Sequence, residues 1–168
     1  MLTPTNGIKH YNIDIFATTE DQAKTTFNDV YNVLEDNRDK MQRFFYWNTE
    51  KIISLKTKSV LRYRTSSPKS ADGARPGKVD HDEEHAYENS KLIDVAVGGL
   101  GKKPRPRRTI MSTDGFVREG PLDKDKTKGI RILNGEIDDN GMLPFIARVD
   151  KPEEVEMPEM WYKANPSL

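Results

Sequence analysis

Apolar residues recur at helical spacing within residues 18–47, and this is the clearest pattern in the chain. The recurring positions lie four, three and four residues apart and form one apolar face of an amphipathic helix: Ala23, Phe27, Val30 and Leu34. Thr19 followed by Gln22 has the spacing of a capping box and marks the helix start. Polar residues 35–39 then interrupt the apolar face. The pattern therefore predicts either one helix through this interruption or two helices that meet near Asn37.

Alternating patterns on either side of this helix indicate strands. Residues 11–16 alternate apolar and polar positions, which predicts a half-buried strand that leads into the helix. Residues 50–66 alternate again and predict a strand or hairpin with a basic solvent face. Residues 92–97 are a short apolar run that fits a buried strand or the end of a helix, and residues 109–111 fit a short strand.

The C-terminal third contains the best hairpin pattern. Residues 130–137 and 142–149 are predicted as its two arms, with a turn at residues 139–141 and a mixed-charge loop before them at residues 122–129. Pro144 lies in the second arm and cannot donate to a ladder, so that arm is expected at a sheet edge or at a bulge.

The remaining segments contain few residues that a core could bury. Hydrophobic residues make up 35% of the 168-residue chain, against about 45–50% in an ordinary globular protein. Residues 66–89 are predicted as a polar loop, residues 1–7 as an N-terminal arm and residues 150–168 as a C-terminal arm. The expected organisation is a single domain over residues 1–168. Its expected fold class is α+β, with the amphipathic helix or broken helix pair packed on a mostly antiparallel sheet.

Charge and composition narrow the function classes. Lys plus Arg equals Asp plus Glu at 27 each, so no global field attracts nucleic acid or an anionic membrane. The chain has no cysteine, and nowhere do 18 apolar residues run together. The N-terminus lacks the features of a signal peptide. We therefore expect synthesis and retention inside a cell, with a virion as a further location, and no membrane partner.

Residues 81–85 match H-x-x-E-H, a zinc-peptidase signature in which two histidines hold the metal. Such a helix needs an apolar surround to fix its ligands, and the flanking residues are polar. A solvated acidic turn is the favoured interpretation, and no metal or other cofactor is predicted.

Residues 95–102, VAVGGLGK, resemble a strand that enters a phosphate loop. The pattern G-x-x-x-x-G-K-[ST] requires glycine at position 96 and a hydroxyl at position 103, where this chain has Ala96 and Lys103. The magnesium-binding hydroxyl is missing. A glycine turn at the end of an element is therefore predicted.

Five positive charges fall within residues 102–108: Lys102, Lys103, Arg105, Arg107 and Arg108. An extended basic segment could follow a phosphate backbone, but no aromatic residue is interleaved for base stacking. Contact with an acidic surface of another subunit is the favoured interpretation, and a weak nucleic-acid contact is the alternative.

Two aromatic groups complete the candidates. Of the run at residues 44–47, two side chains are expected in the core and two at its rim, because one helix face cannot bury four successive residues. The C-terminal arm carries apolar residues predicted to contact a neighbouring subunit: Met160, Trp161 and Tyr162.

No nucleophile is paired with a base in the sequence, so no catalytic residue is predicted. The expectation is a non-enzymatic structural or assembly subunit, such as a phage head, neck or tail component, whose partners are copies of itself or other assembly subunits. The alternative is a nucleic-acid-binding accessory protein that uses residues 102–108.

Overall fold

A computed structural model describes residues 7–64 and 75–167, and these residues fall into two compact units, Met1–Asp123 and Lys124–Leu168. The first unit carries a six-stranded sheet. Its strands are β1 (Ile13–Phe16), β2 (Phe45–Trp47), β3 (Ile52–Ser54), β4 (Val60–Arg64), β5 (Lys78–Asp82) and β6 (Arg107–Met111). The helices are α1 (Glu20–Asp36), α2 (Arg38–Met41), α3 (Lys91–Gly98) and α4 (Pro121–Leu133).

The sheet is mixed, with the order β2-β3-β4-β1-β5-β6. The pairs β4/β1, β1/β5 and β5/β6 are parallel, while β2/β3 and β3/β4 are antiparallel. The expected helix on a mostly antiparallel sheet is therefore wrong, and the fold is α/β. Only the β2–β4 meander, which includes the hairpin expected at residues 50–66, is antiparallel.

Strand β1 explains part of this error, because all four of its residues are buried rather than every second one. A strand paired in parallel on both sides is covered by helices on both faces, and so a polar residue within it must find an internal partner. Asp14 is completely buried and accepts from Arg62 Nε at 2.8 Å and from Arg64 Nη2 at 3.1 Å. The two arginines predicted for the solvent face of β4 thus neutralise a buried carboxylate.

Helices cover both faces of the sheet. One apolar cluster joins α1 to Ile13 and Ile15 of β1, and a second joins α3 to Phe16 of β1 and Val79 of β5. Because successive residues of a strand point to opposite faces, α1 and α3 pack on opposite sides of the sheet. Helix α1 connects β1 to the strands β2–β4, which lie on one side of β1 in the sheet. Helix α3 connects β5 to β6, and both of these strands lie on the other side. The order in which strands are added to the sheet therefore reverses between β1 and β5.

The predicted helix segment consists of two helices, as in the second of the two alternatives. Thr19 is the N-cap of α1 and accepts a hydrogen bond from the backbone N–H of Gln22 at 3.3 Å, which confirms the predicted start. Asn37 separates α1 from α2. The aromatic run beyond lies mostly in β2, where Trp47 is buried and Phe45 packs on the same cluster, while Phe44 and Tyr46 are exposed.

Strand β5 and the 3-10 helix Glu84–Ala86 lie within the segment predicted as a polar loop. The sequence of β5, KVDHD, contains a single apolar residue, yet Val79, Asp80 and His81 are all buried. The prediction failed because it counted apolar side chains, whereas this strand buries charged ones with partners. Lys78 Nζ, for example, lies 2.7 Å from Asp80 Oδ1. Residues 66–74 of the predicted loop lie outside the described residues.

The second unit differs most from its prediction. Residues 122–129, predicted as a loop, and residues 130–133, predicted as a strand, belong to α4. No strand is assigned among residues 134–149, so the predicted hairpin is wrong, although a turn does occur at residues 139–141. Met142 and Pro144 pack close to Gly129 of α4, where an added Cβ would lie 3.1 Å from Pro144 Cβ.

The predicted arms have two outcomes. Residues 1–6 and 168 lie outside the described residues, while residues 150–167 form the 3-10 helices Pro152–Glu156 and Pro158–Lys163. Lys163 Nζ joins them by contacts to Asp150 Oδ2 at 2.7 Å and Glu154 Oε1 at 2.8 Å. Within the described part of the chain, no helix is both long and apolar enough to cross a membrane.

We expect Asp14→Asn to lower the free energy of unfolding of the first unit by about 3 kcal/mol, because two arginines lose a buried counter-charge. Urea unfolding followed by Trp47 fluorescence measures this in a Trp161→Phe background, which leaves Trp47 as the only tryptophan. The matched control Asp29→Asn lies on the exposed face of α1 and should change stability by less than about 0.5 kcal/mol. Equal effects of the two substitutions would contradict a structural role for the Asp14 pair.

Candidate functional site

The carboxyl ends of the parallel strands β1 and β5 lie side by side at the point where the strand order reverses. In open α/β sheets this edge forms a crevice between divergent helices and is the usual place for a ligand. Residues 17–19 follow β1, residues 83–86 follow β5, and residues 112–115 follow β6. The candidate site is built from these segments and from α1.

Asp82 ends β5 and points to the face covered by α1. Its Oδ2 accepts a hydrogen bond from the Thr26 hydroxyl of α1, and its Oδ1 accepts from the backbone N–H of Glu83 at 3.1 Å. Two donors from different elements therefore fix the carboxylate. The chain turns directly after it.

Glu83 adopts the left-handed backbone conformation, with φ 51° and ψ 51°. Its Oε2 is buried and lies 2.9 Å from Nδ1 of His85, while the side chain as a whole remains 37% exposed. The backbone N–H of His85 donates to Ser112 Oγ, beyond β6, at 2.9 Å. Gly115 packs on the His85 ring so closely that a Cβ would lie 2.5 Å from Cδ2. Glu83 is thus linked to the end of β6 through His85.

A buried polar cluster lies on the opposite face of β5. Glu84 and His81 are completely buried, and Arg108 of β6 donates to Glu84 Oε1 at 2.6 Å and to His81 Nδ1 at 3.2 Å. Burial, with the charge of Arg108 adding to it, lowers the pKa of His81 to about 3. His81 is therefore neutral at physiological pH. Burial also raises the pKa of the Tyr87 phenol, and the charges of Glu84 and Asp82 act in the same direction.

These positions correct the interpretation of residues 81–85. His81 faces the α3 side in a strand, while His85 lies in a 3-10 helix beside Glu83, so the two rings do not converge as helical zinc ligands would. The favoured solvated acidic turn is also wrong in part, because His81 and Glu84 are inaccessible to solvent. Sequence reasoning missed Asp82 and Glu83, although an acidic pair at the end of a strand is a recognisable signal. The strand itself was not recognised.

Residues 95–102 lie at the end of α3 and in the 3-10 helix Leu100–Lys102. A phosphate loop needs the amino end of a helix, where free amides point at the anion, whereas Gly98 is the last residue of α3 and Gly99 is its C-cap. This segment therefore does not have the strand-loop-helix geometry.

The basic segment lies at the other edge of the sheet. Lys102, Arg105 and Arg107 are exposed near the amino end of β6, Lys103 is half-buried, and Arg108 contacts Glu84 within the chain. The Tyr11 hydroxyl donates to the carbonyl of Arg105 at 2.6 Å and anchors the segment. No observation tests the predicted contact with nucleic acid or with an acidic partner.

The predicted contact residues of the C-terminal arm lie in the 3-10 helix Pro158–Lys163. Tyr162 is 59% exposed and Trp161 is 45% exposed, while Met160 is half-buried. Trp161 Nε1 donates to the carbonyl of Val155 at 2.9 Å. Their contact with another subunit stays a prediction.

A mixed, mostly parallel sheet with helices on both faces, and an acidic pair at its carboxyl edge, defines an α/β protein of Rossmann-like architecture. Residues 6–129 match the family described as the terminase large subunit, ATPase domain, and this chain belongs to that family.

Solved structures agree with this fold. The large terminase of bacteriophage HK97 superimposes with a TM-score of 0.83 at 19% identity over 99% of this chain and 34% of that chain. A mutant of the Thermus phage P74-26 large terminase ATPase domain gives a TM-score of 0.52 at 18% identity over 66% of this chain and 51% of that one.

Protein YmfN of Escherichia coli (strain K12) is 28% identical over 97 residues, which are 58% of this chain and 21% of YmfN. The chain thus spans about a fifth of YmfN and a third of the HK97 terminase.

The family corrects the functional expectations. The prediction of a non-enzymatic structural or virion subunit is wrong, and so is its accessory-protein alternative, because the matched family is an ATPase domain. The expectation of a phage-related protein is confirmed at that level.

We expect Glu83→Gly to be more stable than Glu83→Ala by about 1 kcal/mol, because only glycine adopts the left-handed conformation without a steric cost. Urea unfolding in the Trp161→Phe background measures the difference. Glu88 is exposed and not left-handed, so alanine should equal or exceed glycine there. Alanine exceeding glycine at position 83 as well would show that Glu83 is not left-handed in solution.

Proposed function

We propose that this chain provides the acidic part of an ATP-hydrolysing site in a phage DNA-packaging motor. The observation that carries the proposal is the placement of Asp82 and Glu83. They lie at the carboxyl end of β5, at the switch point of an α/β sheet, in a chain of the terminase ATPase-domain family.

Asp82 is the residue that would hold Mg²⁺, which neutralises charge on the phosphates when it is bound. Among residues 7–64 and 75–167, no three acidic, histidine or cysteine side chains converge into a metal cage. Magnesium in nucleotide sites is held by one or two carboxylates together with the substrate phosphates, so a cage is not required. The Asp82 carboxylate is fixed by Thr26 and by the N–H of Glu83, and it retains acceptor capacity for a cation. The donor set therefore fits the ion.

Glu83 is the residue that would orient the attacking water and accept its proton. Its side chain is 37% exposed, and its immediate neighbour Asp82 would hold the ion. His85 contacts Oε2 and holds the side chain toward the end of β6. A positioned general base of this kind contributes about 10²–10⁴-fold to a rate.

The phosphate contacts are assigned to no residue of this sequence. A backbone cradle of the G-x-x-x-x-G-K-[ST] type does not occur in it, and residues 95–102 have the wrong geometry.

We expect Asp82→Asn to weaken Mg²⁺-dependent ATP binding by at least about tenfold, because the ion loses a charged ligand. Glu83→Gln should leave binding within about twofold and lower hydrolysis at least about 100-fold. Calorimetric titration with Mg·ATP and release of labelled phosphate measure these two quantities.

The control is Glu88→Gln, an exposed glutamate five residues further on, which should change neither quantity. The proposal is wrong if the wild-type chain neither binds nor hydrolyses Mg·ATP. It is equally wrong if hydrolysis survives Glu83→Gln unchanged.

We further propose that the exposed part of the basic segment contacts a negatively charged partner, either DNA or an acidic surface of another subunit. Three exposed residues carry this contact: Lys102, Arg105 and Arg107. Replacing all three by Ala should weaken DNA retention on filters and reduce the slope of log affinity against log salt by about two to three. Arg108 is left unchanged because it supports Glu84. Loss of self-association with unchanged DNA retention would assign the segment to a subunit contact.

A further inference from the structure

Glu83 is held in a conformation that its own side chain disfavours. A residue with a Cβ pays a steric penalty in the left-handed region, and such a residue persists only where its surroundings fix it from both sides. On the N-terminal side, Asp82 accepts the N–H of Glu83 and is itself fixed by Thr26. On the other side, the carbonyl of Glu83 accepts from the N–H of Ala86 at 3.0 Å, and Glu84 follows directly.

Glu84 is completely buried and paired with Arg108. Arg108 Nη2 lies 2.6 Å from Glu84 Oε1, and Arg108 Nε donates to His81 Nδ1 at 3.2 Å. The same guanidinium therefore contacts a residue before Glu83 and a residue after it. Because Arg108 belongs to β6, the turn is tied to the neighbouring strand.

Packing alone does not require charge at these positions. Replacing a buried ion pair by apolar residues of similar volume is often neutral or stabilising, so such a pair is better explained by a geometry that it specifies. Here the geometry is the turn from β5 into the 3-10 helix Glu84–Ala86, with Glu83 at its centre.

We propose that Glu84 and Arg108 are a positioning pair that holds Glu83 in its left-handed conformation and so aims its carboxylate at the ligand crevice. Its consequence for hydrolysis rests on the proposed ATPase function, whereas its consequence for the backbone does not. Arg108 points to the α3 face of the sheet, opposite the face to which Asp82 points, and Glu84 is completely buried.

The preference for glycine over alanine at position 83 measures this conformation without any nucleotide. In the wild-type background, the unfolding equilibrium constants of the Glu83→Ala and Glu83→Gly proteins should differ about fivefold. With Glu84→Met and Arg108→Met together, the pair is absent but packing volume is kept. Residue 83 is then free to relax, and the ratio should fall to about one. The ratio is measured by urea unfolding in the Trp161→Phe background.

A matched control removes a different ion pair from the same strand. Lys78→Met with Asp80→Met eliminates a contact of 2.7 Å on the α1 face of β5 and should leave the fivefold ratio unchanged.

An unchanged ratio in the Glu84→Met, Arg108→Met protein overturns the proposal. If that double variant does not fold, Arg108→Lys replaces it. Lysine keeps the charge but cannot contact Glu84 and His81 through one planar fork, so the ratio should fall to between one and five.

Hydrolysis supplies the second measurement. The double variant should bind Mg·ATP within about twofold of wild type and lower kcat at least about tenfold, because a general base is displaced while Asp82 is kept. Equal losses in binding and kcat would show a general structural role and overturn positioning. The two proposals separate clearly. A ratio that collapses in a chain without ATPase activity supports the positioning pair and contradicts the proposed function, and an unchanged ratio in an active ATPase does the reverse.

Discussion

The parallel pairing of β1 between β4 and β5 is the constraint on which the first unit depends. It buries β1 on both faces, so Asp14 within it must be neutralised, and Arg62 and Arg64 of β4 supply the charge. It also places the reversal of strand order between β1 and β5. The start of α1 and the acidic pair after β5 therefore lie at the same edge of the sheet, where open α/β sheets bind ligands.

Three carboxylates of this unit are bound by a side chain from another element. Asp14 is bound from β4, Glu84 is bound from β6, and Asp82 is bound from α1. Each contact joins elements that are distant in sequence and fixes their register. The apolar clusters hold the layers together, while these polar contacts determine where strands end and which way the connecting turns point.

The sequence predicted the elements that rely on local signals. Thr19 capped α1 as expected, Asn37 broke the helix, and the β3–β4 hairpin followed its alternation. Strand β5 escaped prediction because its core residues include Asp80 and His81, and the partner of His81, Arg108, lies on a distant strand that no local window contains. Glu83 was missed for the same reason, since an acidic pair has no meaning until the strand before it is recognised. Helix α4 was predicted as a loop and a strand, because Gly129 and a run of charged residues obscure the helical spacing of its apolar positions.

The basic segment lies at the amino edge of the sheet and the acidic pair at the carboxyl edge, separated by the length of β6. Five residues of extended chain span about 13 Å, which exceeds the Debye length of about 8 Å at physiological ionic strength. Repulsion through the solvent between two anions bound at the two edges would therefore be largely screened. Coupling between the edges would then depend on the protein that joins them, for example on a shift of β6 relative to β5 along their shared ladder.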